Sequence, residues 1–269
     1  MPQKQPSTTV GPGLACTKAM STGWQDLITR ASAERAAPVN AHTFYGIWTT
    51  SSRPARLECD DGTVYVVKGI QNGRVLVNEQ IVAHLGSLVG APVPEVAYVN
   101  VDQALIARQP ELAHFQPGAS HGSEFVPGCG NQTGIANVDG DNRRRFARLA
   151  VLFGWVQAQD HQFIYENAAP YVVRSVDHGH FFPGGPEWRI GSLNGVPAAV
   201  PDQMLVPACQ LTQDELRAAA APLVDLQDQA IARAVAAPLD DWGVSMEERV
   251  AVATYLARRR GELLTALGM

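Results

Sequence analysis

Two neighbouring segments constrain the fold more than any others: VYVVKG at residues 64–69 and LVNEQIVAHLGSLVG at residues 76–90. The first alternates apolar side chains as a half-buried strand does and ends on Lys68. The second sets Leu76, Ile81, Leu85 and Leu88 along one side of a helix that stops at Gly90. Glu79 lies inside this helix, amid Leu76, Val77, Ile81 and Val82. A carboxylate turned into such a surface needs a partner of opposite charge, because burying it alone is prohibitive. Lys68 is the natural partner, and that pairing requires the helix to lie across the strand. Taken alone, Lys68 reads as a lysine snorkelling from a strand edge.

The chain around this pair divides by character. TFYGIWTT and ARLECDDGTVYVVKGI read as strands, with DDG as a hairpin signal. APVPEVAYVNV and QALIARQ read as a further strand pair, so the first 125 residues give a mostly antiparallel sheet carrying one helix. Before it, residues 22–36 form a short helix with Trp24, Leu27 and Ile28 on one side. Residues 1–20, rich in Pro, Gly, Ser and Thr, read as a disordered or loosely packed arm. From about residue 140 the pattern turns helical. DGDNRRRFARLAVLFGWVQAQ opens on a capping aspartate and lines up Phe146, Leu149, Ala150, Phe153 and Val156. A hairpin, FIYENAAPYVVRSVD, follows. Two helices close the chain, the first kinked or split at Pro222, and each begins with Ser or Thr and an acid three residues on. The expected class is α+β, with a β-rich N-terminal lobe over residues 21–125 and a mainly helical C-terminal lobe over residues 126–269 that carries the hairpin.

Composition excludes several functions. Hydrophobic residues make up 46% of 269, enough for a real core, and the net charge of −5 argues against nucleic acid as a partner. No window approaches the apolar length of a membrane span. Cys16, Cys59, Cys129 and Cys209 form no CxxC pair, which points to reduced thiols in a cytoplasmic protein and away from zinc or a disulfide framework. GLAC near the start has no apolar run before it and is not a lipoprotein signal.

The residues that carry chemistry cluster in loops. TTSSRPARL joins the first two strands; its backbone N–H groups and the hydroxyls of Thr49, Thr50, Ser51 and Ser52 can cover phosphates, and the same segment also reads as an ordinary hairpin loop. Arg53 beside them can touch a phosphate or stand in solvent. Asp160 follows the long helix, a short hairpin comes next, and Asp177 ends its second strand. Two carboxylates at the ends of one hairpin can point into one cleft, where kinases place a base near the substrate hydroxyl and a metal ligand under the phosphates. Asp177 then binds Mg²⁺ that bridges nucleotide phosphates, and Gly179 lets the backbone turn away. His161, His178 and His180 lack a further ligand for a transition metal, so His178 and His180 are expected to hydrogen-bond around the carboxylates. VDGDN at 138–142 lacks the distant bidentate glutamate of a calcium loop and reads as a turn plus helix cap, while Trp188 packs in the loop after the metal strand.

In order, VYVVKG…NEQIVAHLGSLVGAPVPE, HGSEFVPG, LFGWVQAQDHQFIY and VRSVDHGHFF resemble the HipA-like kinase family over about residues 42 to 190. The resemblance implies the two-lobed protein-kinase-like fold, ATP and Mg²⁺ as cofactors, and transfer of a phosphoryl group to a hydroxyl. A serine or threonine of a protein is the leading acceptor and a small molecule the rival. It implies that Lys68 contacts the α- and β-phosphates, braced by Glu79, and that GSEFV is the hinge, with the backbone of Glu124, Phe125 and Val126 holding adenine. Asp160 orients or deprotonates the acceptor hydroxyl, and Asp177 is the chief metal ligand. The catalytic loop departs from the family pattern. Asp160-His161-Gln162 stands where the family commonly has Asp-Arg and then, several residues on, Asn, which leaves Gln162 in the asparagine slot as second metal ligand and Asn167, in the hairpin turn, as a lesser substitute. The departure keeps open a pseudokinase-like nucleotide-binding or interaction module, and adenylyl transfer remains a third reading.

Overall fold

The computed structural model describes residues 13–130 and 134–269, with side chains from residue 23 onward. The first element, α1 (Gly13–Ala33), begins earlier than the sequence pattern suggests. Of the arm expected over residues 1–20, residues 1–12 lie outside the described residues. Trp24 and Ile28 of α1 are buried, as their spacing requires, and the helix packs on two helices from the end of the chain.

A barrel follows, built from β1 (Val39–Ile47), β2 (Ala55–Cys59), β3 (Val64–Lys68), β4 (Val96–Val101) and β5 (Gly118–Glu124). Helix α2 (Arg74–Val89) is inserted between β3 and β4, and α3 (Gln103–Arg108) between β4 and β5. The strand order is β1-β2-β3-β5-β4, antiparallel except where β1 meets β4 in parallel, Val39 beside Val99 and Asn40 beside Asn100. That closing contact turns the expected sheet into a barrel. Two irregularities in β1, between Ala41 and Thr43 and between Phe44 and Gly46, mark where its pairing with β2 slips, and bulges of this kind bend a strand. Leu57, Cys59, Val67, Val99, Val101 and Phe115 fill the interior. The DDG hairpin forms as read, with Gly62 at φ 80° and the Asp61 carboxylate accepting from the Thr63 N–H at 2.9 Å.

QALIARQ is not a strand. Asp102 caps it by accepting from the Leu105 N–H at 2.6 Å, and the resulting helix α3 buries Leu105 and Ile106 into the barrel. The strand beside β4 is instead β5, GASHGSE, whose Gly122 lies against Val99 so closely that a Cβ would come 2.5 Å from Val99 Cγ2.

The second part is mainly helical. A three-stranded sheet of β6 (Cys129–Gly130), β7 (Gln162–Glu166) and β8 (Val173–Val176) accompanies the long helix α4 (Asp141–Val156). Then come α5 (Ile190–Asn194), α6 (Leu205–Ala208), α7 (Gln213–Ala220), α8 (Asp228–Ala236) and α9 (Met246–Leu267). The expected face of α4 is buried, from Phe146 to Val156, although no aspartate caps it. Gly140 holds the N-cap at φ 57°, and Asn142 ties the helix start to the hairpin by donating to the carbonyls of Asn137 and Tyr171 and accepting from the Val173 N–H. Capping boxes form at Thr212 with Glu215 and at Ser245 with Glu248, and Pro222 splits the helical stretch into α7 and α8. One apolar core joins the inner faces of α1, α2, α4, α7, α8 and α9; a second fills the barrel. The arrangement is α+β, β-rich first and helical second, and no helix among the described residues is long and apolar enough to cross a membrane.

Helix α4 touches backbone at Gly154, where a Cβ would lie 2.1 Å from the Val200 carbonyl oxygen and 2.9 Å from Pro201 Cα. Gly154→Ala must push helix and segment apart, a cost of about 2–3 kcal/mol. Urea denaturation should show a clear drop in midpoint; a wild-type midpoint would refute this contact.

Candidate functional site

Lys68 is the last residue of β3 and is 6% exposed. Its ammonium donates to Glu79 Oε1, on α2, and to Asp177 Oδ1, just past β8, at 2.6 Å. Three elements distant in sequence therefore converge on one nitrogen. Glu79 is as buried as the lysine, and each of its oxygens also accepts from backbone: Oε2 from the His178 N–H at 3.0 Å and Oε1 from the Gly179 N–H at 3.2 Å. Burial pushes the Glu79 carboxyl up, but the Lys68 ammonium outweighs it and holds the group at about 2. Burial likewise pulls Lys68 down, and the Glu79 and Asp177 carboxylates more than offset this, so its pKa is raised. The site is thus a locked ion triad in which Asp177 keeps about a third of its side chain in solvent (31%).

Asp177 takes the left-handed region, with φ 60°. Gly179, expected to supply the sharp turn, does something else: a Cβ there would come 2.5 Å from Val75 Cγ1, so the glycine allows the loop to approach α2 closely. The residue that fixes this approach, Asn78, has no role in the sequence reading. Its Nδ2 donates to the carbonyls of Gly179, Phe181 and Gly185, and its Oδ1 accepts from the Trp188 indole N–H at 2.9 Å. A further polar residue next to Glu79, set among Leu76, Val77, Ile81 and Val82, is the signal that could have revealed it. Trp188 is buried and packs in the loop after Asp177, as its position suggested, with the Arg74 guanidinium 4.1 Å above its ring.

The β7–β8 register places Gln162 opposite Val176, so Asp160, Gln162 and Asp177 share the open end of one hairpin. Asp160 is exposed, and its Oδ2 accepts from Gln162 Nε2 at 2.8 Å. The histidines part company. His161 turns inward to Asp202, Nε2 to Oδ2 at 2.9 Å, with its ring edge-on to Phe153. Asp202 is itself anchored by the backbone N–H groups of Met204 and Leu205. His178 is buried, bonds Ser175 Oγ at 2.9 Å and lies 3.7 Å from Glu79, while His180 stands in solvent. The expectation that both bond around the carboxylates therefore holds for His178 alone, because the segment leaves β geometry at Asp177.

Ser51 and Ser52 lie in the β1–β2 loop. The pairing of Ala55 with Val67 puts this loop at the Lys68 end of the barrel, but neither hydroxyl bonds to the triad. The loop is held by Asn72, 3.4 Å from the Ser52 carbonyl, and by His114, 2.9 Å from the Arg53 carbonyl. At the end of β5, two N–H groups are already committed: Glu124 donates to Glu95 and Phe125 to Val64, each at 2.8 Å. Among the described residues this leaves the Val126 N–H and the Glu124 carbonyl for a ligand. Phe125 contributes its ring instead, stacking on Arg56, which also lies over Tyr45.

No group of three or more His, Cys, Asp or Glu side chains among the described residues could hold a metal. The donors that are present suit a different demand. Among the described residues, Asp177 has one oxygen on Lys68 and the other without a hydrogen-bond partner, and Gln162, having given its N–H to Asp160, offers a carbonyl. One carboxylate and one neutral oxygen suit Mg²⁺ carried by phosphates, which needs few protein ligands.

A buried lysine is thus braced by a helix glutamate and bonded to the carboxylate of Asp177 at the end of a hairpin. Residues 47–170 match the family model described as HipA-like kinase, so the family resemblance read from the sequence is borne out over that span. That family points to a kinase or phosphotransferase activity. No curated protein matches the chain.

Acid should unfold this site in two overlapping stages. Glu79 drops from 4.5 to about 2 on folding, so its contribution is whole above pH 4.5 and is lost as pH falls toward 2. Burial lowers His121, which pairs with Lys68 from the neighbouring strand β5, from 6.5 to about 4, and lowers His178 as well. The unfolded chain binds those protons first, so stability also declines from pH 6.5 to 4. Denaturation midpoints measured across this range should fall, and His121→Gln should flatten the upper part. An unaltered slope in that variant would contradict the assignment.

Proposed function

We propose that the protein is an ATP- and Mg²⁺-dependent phosphotransferase with a two-lobed protein-kinase-like fold, residues 21–125 forming the nucleotide-binding lobe and residues 126–269 the lobe that carries the catalytic hairpin. The observation that carries this reading is the Lys68 ammonium held between Glu79 and Asp177, at 2.6 Å from the latter. Lys68 serves the α- and β-phosphates, and Glu79 keeps its amine in place. Asp177, with the Gln162 carbonyl as second protein ligand, holds magnesium, which neutralises phosphate charge when bound. The Glu124 carbonyl and Val126 N–H hold adenine beside Phe125. Ser51 and Ser52 cover the phosphates with hydroxyls and backbone N–H groups. Asp160, exposed at the mouth of the hairpin, orients the acceptor hydroxyl and takes its proton. The leading acceptor is a serine or threonine of a protein, because a catalytic carboxylate open to solvent suits a bulky substrate; a small-molecule hydroxyl is the rival. The free thiols of Cys59, Cys129 and Cys209 fit a cytoplasmic setting.

A second reading, a pseudokinase-like nucleotide-binding or interaction module, rests on the catalytic loop. His161 is turned away to Asp202, and the Gln162 amide occupies the Asp160 carboxylate. Two measurements separate the readings. Thermal stabilisation by ATP with Mg²⁺ reports binding, and transfer from γ-labelled ATP into a protein extract reports turnover. Asp177→Ala should abolish Mg²⁺-dependent nucleotide binding and transfer; undiminished transfer in that variant would sink the proposed site. Asp160→Asn should retain nucleotide binding while lowering turnover about 10²–10⁴-fold. A wild-type protein that is stabilised by ATP yet transfers nothing would favour the pseudokinase.

A further inference from the structure

Between the end of α4 at Val156 and the start of β7 at Gln162, residues 157–161 belong to no helix or strand, and Asp160 is among them. Local bonds hold little of this stretch. The Ala158 N–H turns back to the Phe153 carbonyl at 3.0 Å, and the Asp160 carboxylate accepts from Gln162. Among the described residues, one side-chain hydrogen bond ties the stretch to a distant segment: His161 Nε2 to Asp202 Oδ2, 2.9 Å. A carboxylate only accepts, so the hydrogen sits on Nε2. The two side chains are 11% and 10% exposed, which shields the bond from competing water. The Phe153 ring stands edge-on to the imidazole, with centroids 4.8 Å apart. Asp202 is itself fastened to the long helix. Its N–H donates to the Ala150 carbonyl of α4 at 2.8 Å, and its Oδ1 accepts from the Met204 and Leu205 N–H groups at 3.1 and 2.8 Å. A carboxylate seated on α4 therefore reaches back to the loop that leaves α4.

We propose that Asp202 is a positioning residue: through His161 it fixes the backbone between Asp160 and Gln162, and so aims the Asp160 carboxylate at the acceptor hydroxyl. The proposal rests on the phosphotransferase reading, in which Asp160 takes the acceptor proton. A general base must lie within about 2.6–3.2 Å of the group it deprotonates. Asp160 is exposed and its backbone has no strand partner, so nothing in its own segment keeps that tolerance. Its neighbour does, because an imidazole bonded to a fastened carboxylate has both a fixed direction and a fixed plane. Packing alone gives less. A leucine at position 161 could fill the space against Phe153, but it would leave the loop free to slide. The tie also reaches the other side of the site, since Gln162, which holds Asp160, pairs with Val176 beside Asp177.

Three variants of the full chain test this. Asp202→Ser keeps a hydroxyl that can accept from the Leu205 N–H but is too short to reach His161. His161→Leu keeps the packing on Phe153 and loses the bond. His161→Gln restores an N–H donor of similar reach. Side-chain amide resonances of ¹⁵N-labelled protein report the loop directly, with Gln162 identified by the signal lost in Gln162→Ala. Asp202→Ser and His161→Leu should shift the Gln162 signal, and His161→Gln should bring it back. With γ-labelled ATP, the first two should lower kcat about 10–100-fold, as misplacement of a reacting group does, while KM for ATP stays within about twofold. His161→Gln should recover most of that loss. A purely structural tie would instead lower the denaturation midpoint and leave the kcat of the folded protein intact. Wild-type Gln162 signals and kcat in both broken variants, or a His161→Gln no better than His161→Leu, would overturn the proposal. Should the wild type transfer nothing, the phosphotransferase reading fails by itself. The Gln162 signal then still decides the anchor: a shift in the broken variants supports it, and no shift overturns it.

Discussion

Everything at the site depends on one ammonium group held out of water. The cost of stripping hydration from a lysine amounts to several kcal/mol even after relaxation, and a single carboxylate partner rarely offsets it. Lys68 has two, Glu79 and Asp177, and Glu79 is further held by two backbone N–H groups. That requirement ties the end of β3, the first half of α2 and the turn after β8 to one geometry. If any of the three moves, a buried charge loses its partner. Asp177 sits in the left-handed region, which bulky and β-branched residues avoid, and so marks where the surrounding structure imposes its geometry.

Helix α2 organises more than this triad. Asn78, Glu79 and Gln80 are consecutive, all buried, and each faces a different neighbour because successive helical residues point about 100° apart. Asn78 gathers three carbonyls of the loop after Asp177 and Glu79 braces Lys68, while Gln80 takes no part in either. Buried polar side chains are expensive unless they are paired, and Asn78 and Glu79 both are. Solvent meets the site at the open end of the hairpin, which Asp160, Gln162 and the partly exposed Asp177 share.

Much of this could be read from the residues in order. The lysine and glutamate declare each other, since both lie among apolar neighbours that cannot solvate them. Asp160 and Asp177 bracket a short hairpin, and hairpin register brings its two open ends together whatever else the chain does. Capping boxes at Thr212 and Ser245 and the split at Pro222 are local chemistry and appear where expected. The misreadings have equally specific causes. QALIARQ is short and apolar enough to be helix or strand, and the Asp102 cap settles it only once the barrel can take Leu105 and Ile106. GASHGSE has little strand propensity and pairs because β3 and β4 flank it on both sides. His161 finds Asp202, 41 residues away, a partner that no local pattern announces.

The sequence by itself determined the α+β division, the Lys68–Glu79 pair and the family match over residues 47–170, because each rests on periodicity or on short-range order along the chain. Tertiary structure alone decided the barrel closure, the clamp at Asn78 and the turning away of His161. Those depend on which surfaces meet across large separations in sequence. A polar group's role there is set by what remains unpaired after packing, and that is a property of the folded interior.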